Sequence, residues 1–128
     1  MDKIVVAVVI LNNQALMVRR RQKEGALYWQ FPSGGINSKE SELSAAKREV
    51  FEETGVSCRG VRELGQRTHP DTGRDIVYIL CDYVGGVPIV KDTEELDQVS
   101  WMNSDKVLQV VTSDLFLPVK NLLERLKK

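Results

Sequence analysis

Apolar residues fall in short blocks along the first part of the chain, and their spacing predicts a sheet. Ile4–Ile10 is rich in β-branched residues, which is typical of a strand buried on both faces. Turn residues 12–14 follow it, so Ala15–Arg21 is predicted to be a second, antiparallel strand. Tyr28–Phe31 is predicted to be a short extended segment. Pro32–Gly35 combines a proline with two glycines and is predicted to be neither helix nor regular strand.

The spacing then changes to a helical period. A helix is predicted over Ser41–Thr54, and Gly55 supplies a left-handed residue that ends it. Its apolar stripe, which should face the core, comprises Leu43, Ala46 and Val50.

The second half of the chain predicts more sheet and one further helix. Val61–Arg67 and Asp75–Val84 are predicted strands joined by the turn-rich loop His69–Arg74, and Gln98–Trp101 is a further short strand. An amphipathic helix is predicted over Pro118–Lys127, with its inward residues at Val119, Leu122, Leu123 and Leu126. The pattern predicts one α/β domain over residues 1–128, with a mixed sheet covered by two helices.

Composition excludes several classes of protein. With 42% hydrophobic and 28% charged residues, the chain is not intrinsically disordered. Its longest apolar run has eight residues, Ile4–Leu11, against the roughly 20 that a membrane-spanning helix needs. Eighteen basic and eighteen acidic residues cancel, which argues against a nucleic-acid or membrane partner. No secretory leader pattern opens the sequence, so a cytoplasmic location is expected.

Few side chains other than carboxylates are available for chemistry. Cys58 and Cys81 are expected to be buried, reduced thiols, because two cysteines cannot make a disulfide framework. The single histidine, His69, makes a Cys/His zinc site improbable and limits any Ser-His-Asp arrangement to one imidazole. Catalysis, if present, must rest mainly on Asp and Glu.

Three glutamates converge on the predicted first helix. Glu49, Glu52 and Glu53 fall within about 100° of one another around its axis, next to the apolar stripe. Two carboxylates 5–6 Å apart near a protein surface repel by roughly 3 kcal/mol, and a hard divalent cation such as Mg²⁺ or Mn²⁺ would remove that cost. The alternative is a solvated acidic face, which a pairing of Arg48 with Glu52 would support.

The residues around these glutamates resemble a known family. Within residues 34–56, fixed residues occur at the spacing of the Nudix box, namely Gly34, Glu40, Arg48, Glu49, Glu52, Glu53 and Gly55, with aliphatic Val50 and Val56. A chance match to seven specified residues is on the order of 10⁻⁸ per starting position. The chain therefore resembles the small MutT-like members of the Nudix hydrolase family over nearly its whole length.

This resemblance implies a fold, a reaction and a metal site. It implies an α/β/α sandwich with a mixed β-sheet and a catalytic loop-helix-loop, and hydrolysis of a nucleoside diphosphate linked to another group with Mg²⁺, or Mn²⁺ as a substitute. Glu49, Glu52 and Glu53 would be metal ligands, helped by a backbone carbonyl of Gly34 or Gly35. Glu49 is also a candidate base, and Glu40 and Arg48 would brace the loops. Asn37 and Lys39 depart from the family, which often has glutamate and glycine there.

Several residues outside the box are candidates for the site. Glu95, in a charged loop, is a candidate further metal ligand, with surface exposure as the alternative. Strand alternation sends Arg20 to the face opposite Arg19 and Arg21, and any of the three could clamp substrate phosphates. Trp29 could stack on a base or belong to the core. His69 and Arg74 border a loop that could reach over the site.

The substrate is less defined than the reaction. A nucleoside triphosphate, cleaved to the monophosphate and pyrophosphate, is the first choice, with ADP-ribose or a nucleotide sugar as the alternative. A binding module without turnover would be expected to lose box glutamates, which this chain retains. An ordinary structural α/β domain would require the box to be accidental. Monomer and homodimer both remain open.

Overall fold

The computed structural model describes residues 3–21, 27–70, 72–111 and 114–127. Seven strands form one mixed sheet: β1 (Ile4–Leu11), β2 (Gln14–Arg21), β3 (Leu27–Gln30), β4 (Ser33–Gly35), β5 (Ser57–Thr68), β6 (Asp75–Gly85) and β7 (Leu96–Asn103). Three helices accompany them: α1 (Glu42–Thr54), α2 (Ser104–Val110) and α3 (Leu117–Leu126). No helix in these described ranges is long and apolar enough to cross a membrane.

The strand order is β3-β2-β1-β6-β5, with β4 added to β1 and β7 added to β2. Strands β1 and β6 are parallel, and the other pairs are antiparallel. The mixed sheet is thus confirmed. The β5–β6 connection is the predicted His69–Arg74 hairpin loop, of which Asp71 lies outside the described residues.

The sheet is covered on both faces, which gives the α/β/α sandwich. Alternate residues of β1 point to opposite sides, and Val5 belongs to the core beneath α1, whereas Val8 belongs to the core beneath α2 and α3. Helix α1 contributes Ala45, Ala46 and Val50 to the first core. The buried free thiols Cys58 and Cys81 lie there too, as expected.

The segment Pro32–Gly35 corrects one prediction. Ser33–Gly35 is a strand, β4, with Val5 opposite Gly34 and Ile4 opposite Gly35 in antiparallel register. Glycine weakens an isolated strand, but here the partner strand β1 satisfies the backbone hydrogen bonds. Pro32 precedes the strand, where its carbonyl accepts from the Ala7 backbone N–H at 2.9 Å.

The number of helices was also predicted wrongly. Helix α2 has seven residues, too few for a period to stand out, although Asn103 caps it by accepting from the Lys106 backbone N–H. Strand β5 begins four residues before the predicted start, because register shifts interrupt its alternation. Leu43, expected in the core, is exposed on α1 beside Gly60.

Candidate metal and nucleotide site

Helix α1 carries the box glutamates, and its two ends are fixed by its own sequence. The Ser41 hydroxyl accepts from the Ser44 backbone N–H at 3.1 Å, and Gly55 ends the helix with a φ of 74°. The glutamates differ in burial: the Glu53 side chain is 6% exposed, Glu49 14% and Glu52 56%. Two of the three carboxylates are therefore largely removed from water, which a simple solvated face does not require.

Arg48 joins the loop before the helix to the helix itself. Its guanidinium donates to Glu40 at 2.8 and 3.0 Å, to Glu49 at 2.8 Å and to the Gly35 carbonyl at 2.8 Å. A longer contact of 3.3 Å reaches Glu52. Pairing with Arg48 holds the pKa of the Glu40 carboxyl below its usual range. The expected pairing of Arg48 with nearby carboxylates is therefore observed, and it fixes where Glu49 lies.

Gly34 leaves the space that the Glu49 carboxylate occupies. A Cβ built on Gly34 would clash with the carboxylate carbon and oxygens of Glu49, whereas one on Gly35 would meet nothing within 4 Å. The absent side chain of Gly34 thus lets Glu49 lie directly against the backbone of β4. Nearby, Lys39 has a φ of 68°, a conformation that explains why glycine suits that position.

Arg20 links the helix to the loop that precedes β7. It donates to Glu53 at 2.6 Å and to Glu95 at 2.6 Å, while the Ser33 backbone N–H donates to the other oxygen of Glu53 at 3.2 Å. Burial raises the pKa of the Glu53 carboxyl, although Arg20 opposes this shift. Burial likewise raises the pKa of the Glu49 carboxyl against the opposing effect of Arg48.

The charges of this site do not balance among the residues that the structure describes. Arg20 and Arg48 are the two guanidinium groups paired with five carboxylates, which leaves three negative charges in this set. Oxygen atoms of Glu53, Asp92 and Glu95 also lie within 4.8 Å of one another. A set of hard oxygen donors with excess negative charge fits a divalent cation such as Mg²⁺ or Mn²⁺.

Asp92 was missed by the sequence analysis. Its carboxylate accepts from the Glu95 backbone N–H at 3.3 Å, which sets the turn that brings Glu95 toward Arg20. The only sequence signal was its position three residues before Glu95 in a charged loop.

A cleft of about 750 Å³ runs away from these charges along the sheet face opposite α1. Three of the expected substrate contacts, Arg20, His69 and Arg74, line it, together with Gly34 and Gly35. Its other end is formed by apolar and aromatic side chains from distant parts of the chain, namely Ile4, Val6, Ile76, Tyr78, Val111, Leu115 and Phe116. These aromatic residues were also missed, because nothing local in the sequence brings them together.

The other three expected substrate contacts lie outside this cleft lining. Arg19 pairs with Asp97 at 2.7 and 2.8 Å and lies over the ring of Trp29, 5.7 Å from its centre. Trp29 packs against the core beneath α2 and α3. Arg21 is exposed at the end of β2. The alternation of β2 thus separates Arg20 from Arg19 as predicted.

The NUDIX domain family model matches residues 1–122, so the chain belongs to the NUDIX domain family. It is 48% identical over 59 residues to an RNA pyrophosphohydrolase of Klebsiella pneumoniae (strain 342), a match covering 46% of this chain and 33% of that protein. The chain thus spans about a third of the length of the curated relatives it matches.

Solved structures share the whole fold. The MutT protein from Methanosarcina mazei Go1 superimposes with a TM-score of 0.70 at 28% identity, covering 98% of this chain and 92% of that one. An ADP-ribose pyrophosphatase from Streptococcus suis gives a TM-score of 0.67 at 22% identity, covering 98% and 87%.

Proposed function

We propose that this protein is a hydrolase that cleaves a phosphoanhydride bond of a nucleotide with the help of a divalent cation, Mg²⁺ or Mn²⁺. The observation that carries the proposal is the arrangement of the cleft. At its charged end, Arg20 and Glu95 line the cleft and Arg20 also pairs with Glu53, whereas the other end is mainly apolar and aromatic. A nucleotide has the same division, with charged phosphates at one end and a planar base at the other.

The residues that would hold the cation are Glu49, Glu52 and Glu53, with Glu95 and a backbone carbonyl of Gly34 or Gly35. A bound divalent cation neutralises charge on phosphate oxygens and lowers the pKa of water. In the reaction, the oxygen of water bonds to phosphorus and the bond from that phosphorus to the bridging oxygen breaks. The departing phosphate keeps the bridging oxygen. Glu49 is the candidate acceptor of the water proton, since Arg48 and Gly34 fix its carboxylate beside β4.

Arg20 is suited to bind the phosphates. It lines the cleft and already contacts carboxylates at the charged end, so its guanidinium would exchange part of this pairing for phosphate oxygens. Arg48 does not line the cleft; its six hydrogen bonds to Glu40, Glu49, Glu52 and Gly35 support a role in orienting Glu49.

A nucleoside triphosphate, converted to the monophosphate and pyrophosphate, is the expected preferred substrate. We expect kcat/KM for nucleoside triphosphates to exceed that for ADP-ribose and nucleotide sugars. The measurement is a panel of these compounds with Mg²⁺, in which pyrophosphate and orthophosphate release are scored separately. A higher kcat/KM for ADP-ribose or a nucleotide sugar would contradict this expectation and make that compound the preferred substrate.

A 5′-triphosphorylated RNA belongs in the same panel. The 48% identity to RNA pyrophosphohydrolases over 59 residues favours it as a second candidate. The net charge of zero argues against strong binding of an RNA backbone. A kcat/KM for the RNA above that for the free triphosphate would favour the second candidate.

Binding of the cation should also stabilise the folded protein. Mg²⁺ at ten times its Kd is expected to add about 1.4 kcal/mol to the free energy of unfolding, because it binds the folded state. The measurement is a thermal melt with Mg²⁺ and another with NaCl at matched ionic strength. The Glu53→Gln variant should lose most of the Mg²⁺-specific shift, and the neighbouring surface variant Glu94→Gln should keep it.

Shifts rather than absolute melting temperatures are the quantity to compare. Glu53→Gln is expected to lower the melting temperature by itself, since it removes a buried partner of Arg20. Equal shifts with Mg²⁺ and NaCl in every variant would mean that the glutamates act only as a solvated acidic surface.

A further inference from the structure

Four described residues between α2 and α3 form one wall of the apolar end of the cleft. Val111, Asp114, Leu115 and Phe116 all line it. The Phe116 ring stacks on Tyr78 of β6, with ring centres 4.6 Å apart and planes 25° apart. It also lies against Gly65 of β5, where an added Cβ would approach the ring to 2.8 Å. Phe116 thus packs this wall against the sheet, together with Val111 and Leu115.

Arg67 of β5 connects this wall to the sheet. Its guanidinium donates to the Asp114 carboxylate at 2.7 Å, to the Asp114 backbone carbonyl at 2.7 Å and to the Tyr78 hydroxyl at 3.2 Å. It also lies over the rings of Phe116 and Tyr78, at 5.0 and 5.7 Å from their centres. The Arg67 side chain is 16% exposed and its hydrogen bond to Tyr78 is partly buried, whereas the Asp114 side chain is 58% exposed.

Arg67 does not contact the proposed metal ligands in any of these interactions. Its partners come from β6 and from the segment before α3, whereas the carboxylates lie on α1 and in the loop before β7. A role for Arg67 can therefore be tested separately from the chemistry at the charged end.

We propose that Arg67 is a positioning residue that builds the nucleoside-binding end of the cleft. This inference rests on the proposed function, since it assigns the base and sugar to the aromatic wall. Arg67 holds the wall at a fixed distance from the sheet and neutralises Asp114. Without it, Asp114 would present an unpaired negative charge to an anionic substrate, and Phe116 would lose a cation packed on its ring.

The test is the kinetics of Arg67→Met, which keeps an unbranched side chain and removes the charge. We expect KM for a nucleoside triphosphate to rise about tenfold or more while kcat stays within about threefold, because binding energy distant from the reacting phosphorus is removed. The inhibition constant for inorganic pyrophosphate, which needs only the charged end, should stay unchanged. Arg67→Lys should recover part of the KM, since an ammonium can reach one acceptor but not three.

The matched control is Arg59→Met. Arg59 lies on the same strand and pairs with Asp82 at 2.8 Å, but its side chain is 71% exposed and does not line the cleft. Its KM should match that of the wild type. If Arg67→Met does not fold, Asp114→Asn decides, since it removes the ion pair and keeps the backbone acceptor, and it should raise KM in the same direction.

Two kinetic outcomes would overturn the inference. One is an unchanged KM in Arg67→Met and Asp114→Asn with the wild type active, which leaves the proposed function standing. The other is an equal fall in kcat and pyrophosphate affinity, which would show a general structural role. If the wild type hydrolyses no nucleotide, the proposed function fails, and the role of Arg67 is then tested by calorimetric binding of the triphosphate in the presence of Ca²⁺. Equal affinities of the wild type and Arg67→Met would refute that role. Absence of binding by the wild type would refute it as well.

Discussion

Replacement of Glu53 by Gln is expected to lower kcat by about 10³-fold or more, and Glu52→Gln is expected to have an effect of the same order. Each substitution removes one negative charge from the carboxylates proposed to hold the cation. Glu53 should also be sensitive for a second reason, since it is buried between Arg20 and the Ser33 backbone N–H. The measurement is kcat over a range of Mg²⁺ concentrations.

The exposures of the two side chains make the comparison informative. Glu52 is 56% exposed and contacts Arg48 only at 3.3 Å, so its loss should change the melting temperature little. A large fall in kcat there cannot then be attributed to unfolding. Glu94→Gln, in the charged loop beside Glu95, is the control and should retain wild-type turnover. Turnover like that of the wild type in both Glu52→Gln and Glu53→Gln would rule out the metal site.

The parts of the fold that were predictable are those whose signal is local. Helix α1 ends before Gly55, as predicted, because the left-handed stop is a property of a single residue, and it begins at Glu42, one residue after the predicted start, since Ser41 is its N-cap. The blocks of β-branched residues likewise identified β1 and its antiparallel partner β2. Within β2, alternation alone was enough to separate Arg20 from Arg19.

The parts that were missed depend on contacts between distant residues. Ser33–Gly35 is a strand only because β1 lies beside it, and no local propensity favours that outcome. The aromatic wall needs Phe116 to meet Tyr78, 38 positions earlier in the sequence, across a short helix that has no visible period. For Leu43 the local pattern was misleading: its position in the apolar stripe of the helix predicted burial, but its side chain is exposed.

The charged end of the site shows the same division. The spacing of Glu49, Glu52 and Glu53 was readable because one helix carries all three. Their unequal burial was not readable, since it depends on β4 and on the loop before β7. Asp92 likewise enters the cluster only through the path of that loop.

Gly34 makes room for the Glu49 carboxylate, so it should be sensitive to the smallest added side chain. Gly34→Ala is expected to lower kcat by about 10²-fold, because a displacement of about 1 Å of a group that acts on the substrate can have an effect of that size. The added methyl would clash with the Glu49 carboxylate, which must therefore move. Backbone strain should not contribute to the loss of kcat, because Gly34 does not have a positive φ and pairs with Val5 as an ordinary strand residue.

Gly85→Ala provides the control. It adds the same methyl to a strand glycine of β6 outside the cleft lining, where nothing lies within 4 Å, and it should keep kcat within about threefold of the wild type. A double-mutant cycle then identifies the route of the effect. If Gly34→Ala acts through Glu49, it should have little further effect on an enzyme that already carries Glu49→Gln. Losses that simply add would mean that Gly34 contributes to the reaction independently of Glu49, and the close contact between them would then have no catalytic consequence.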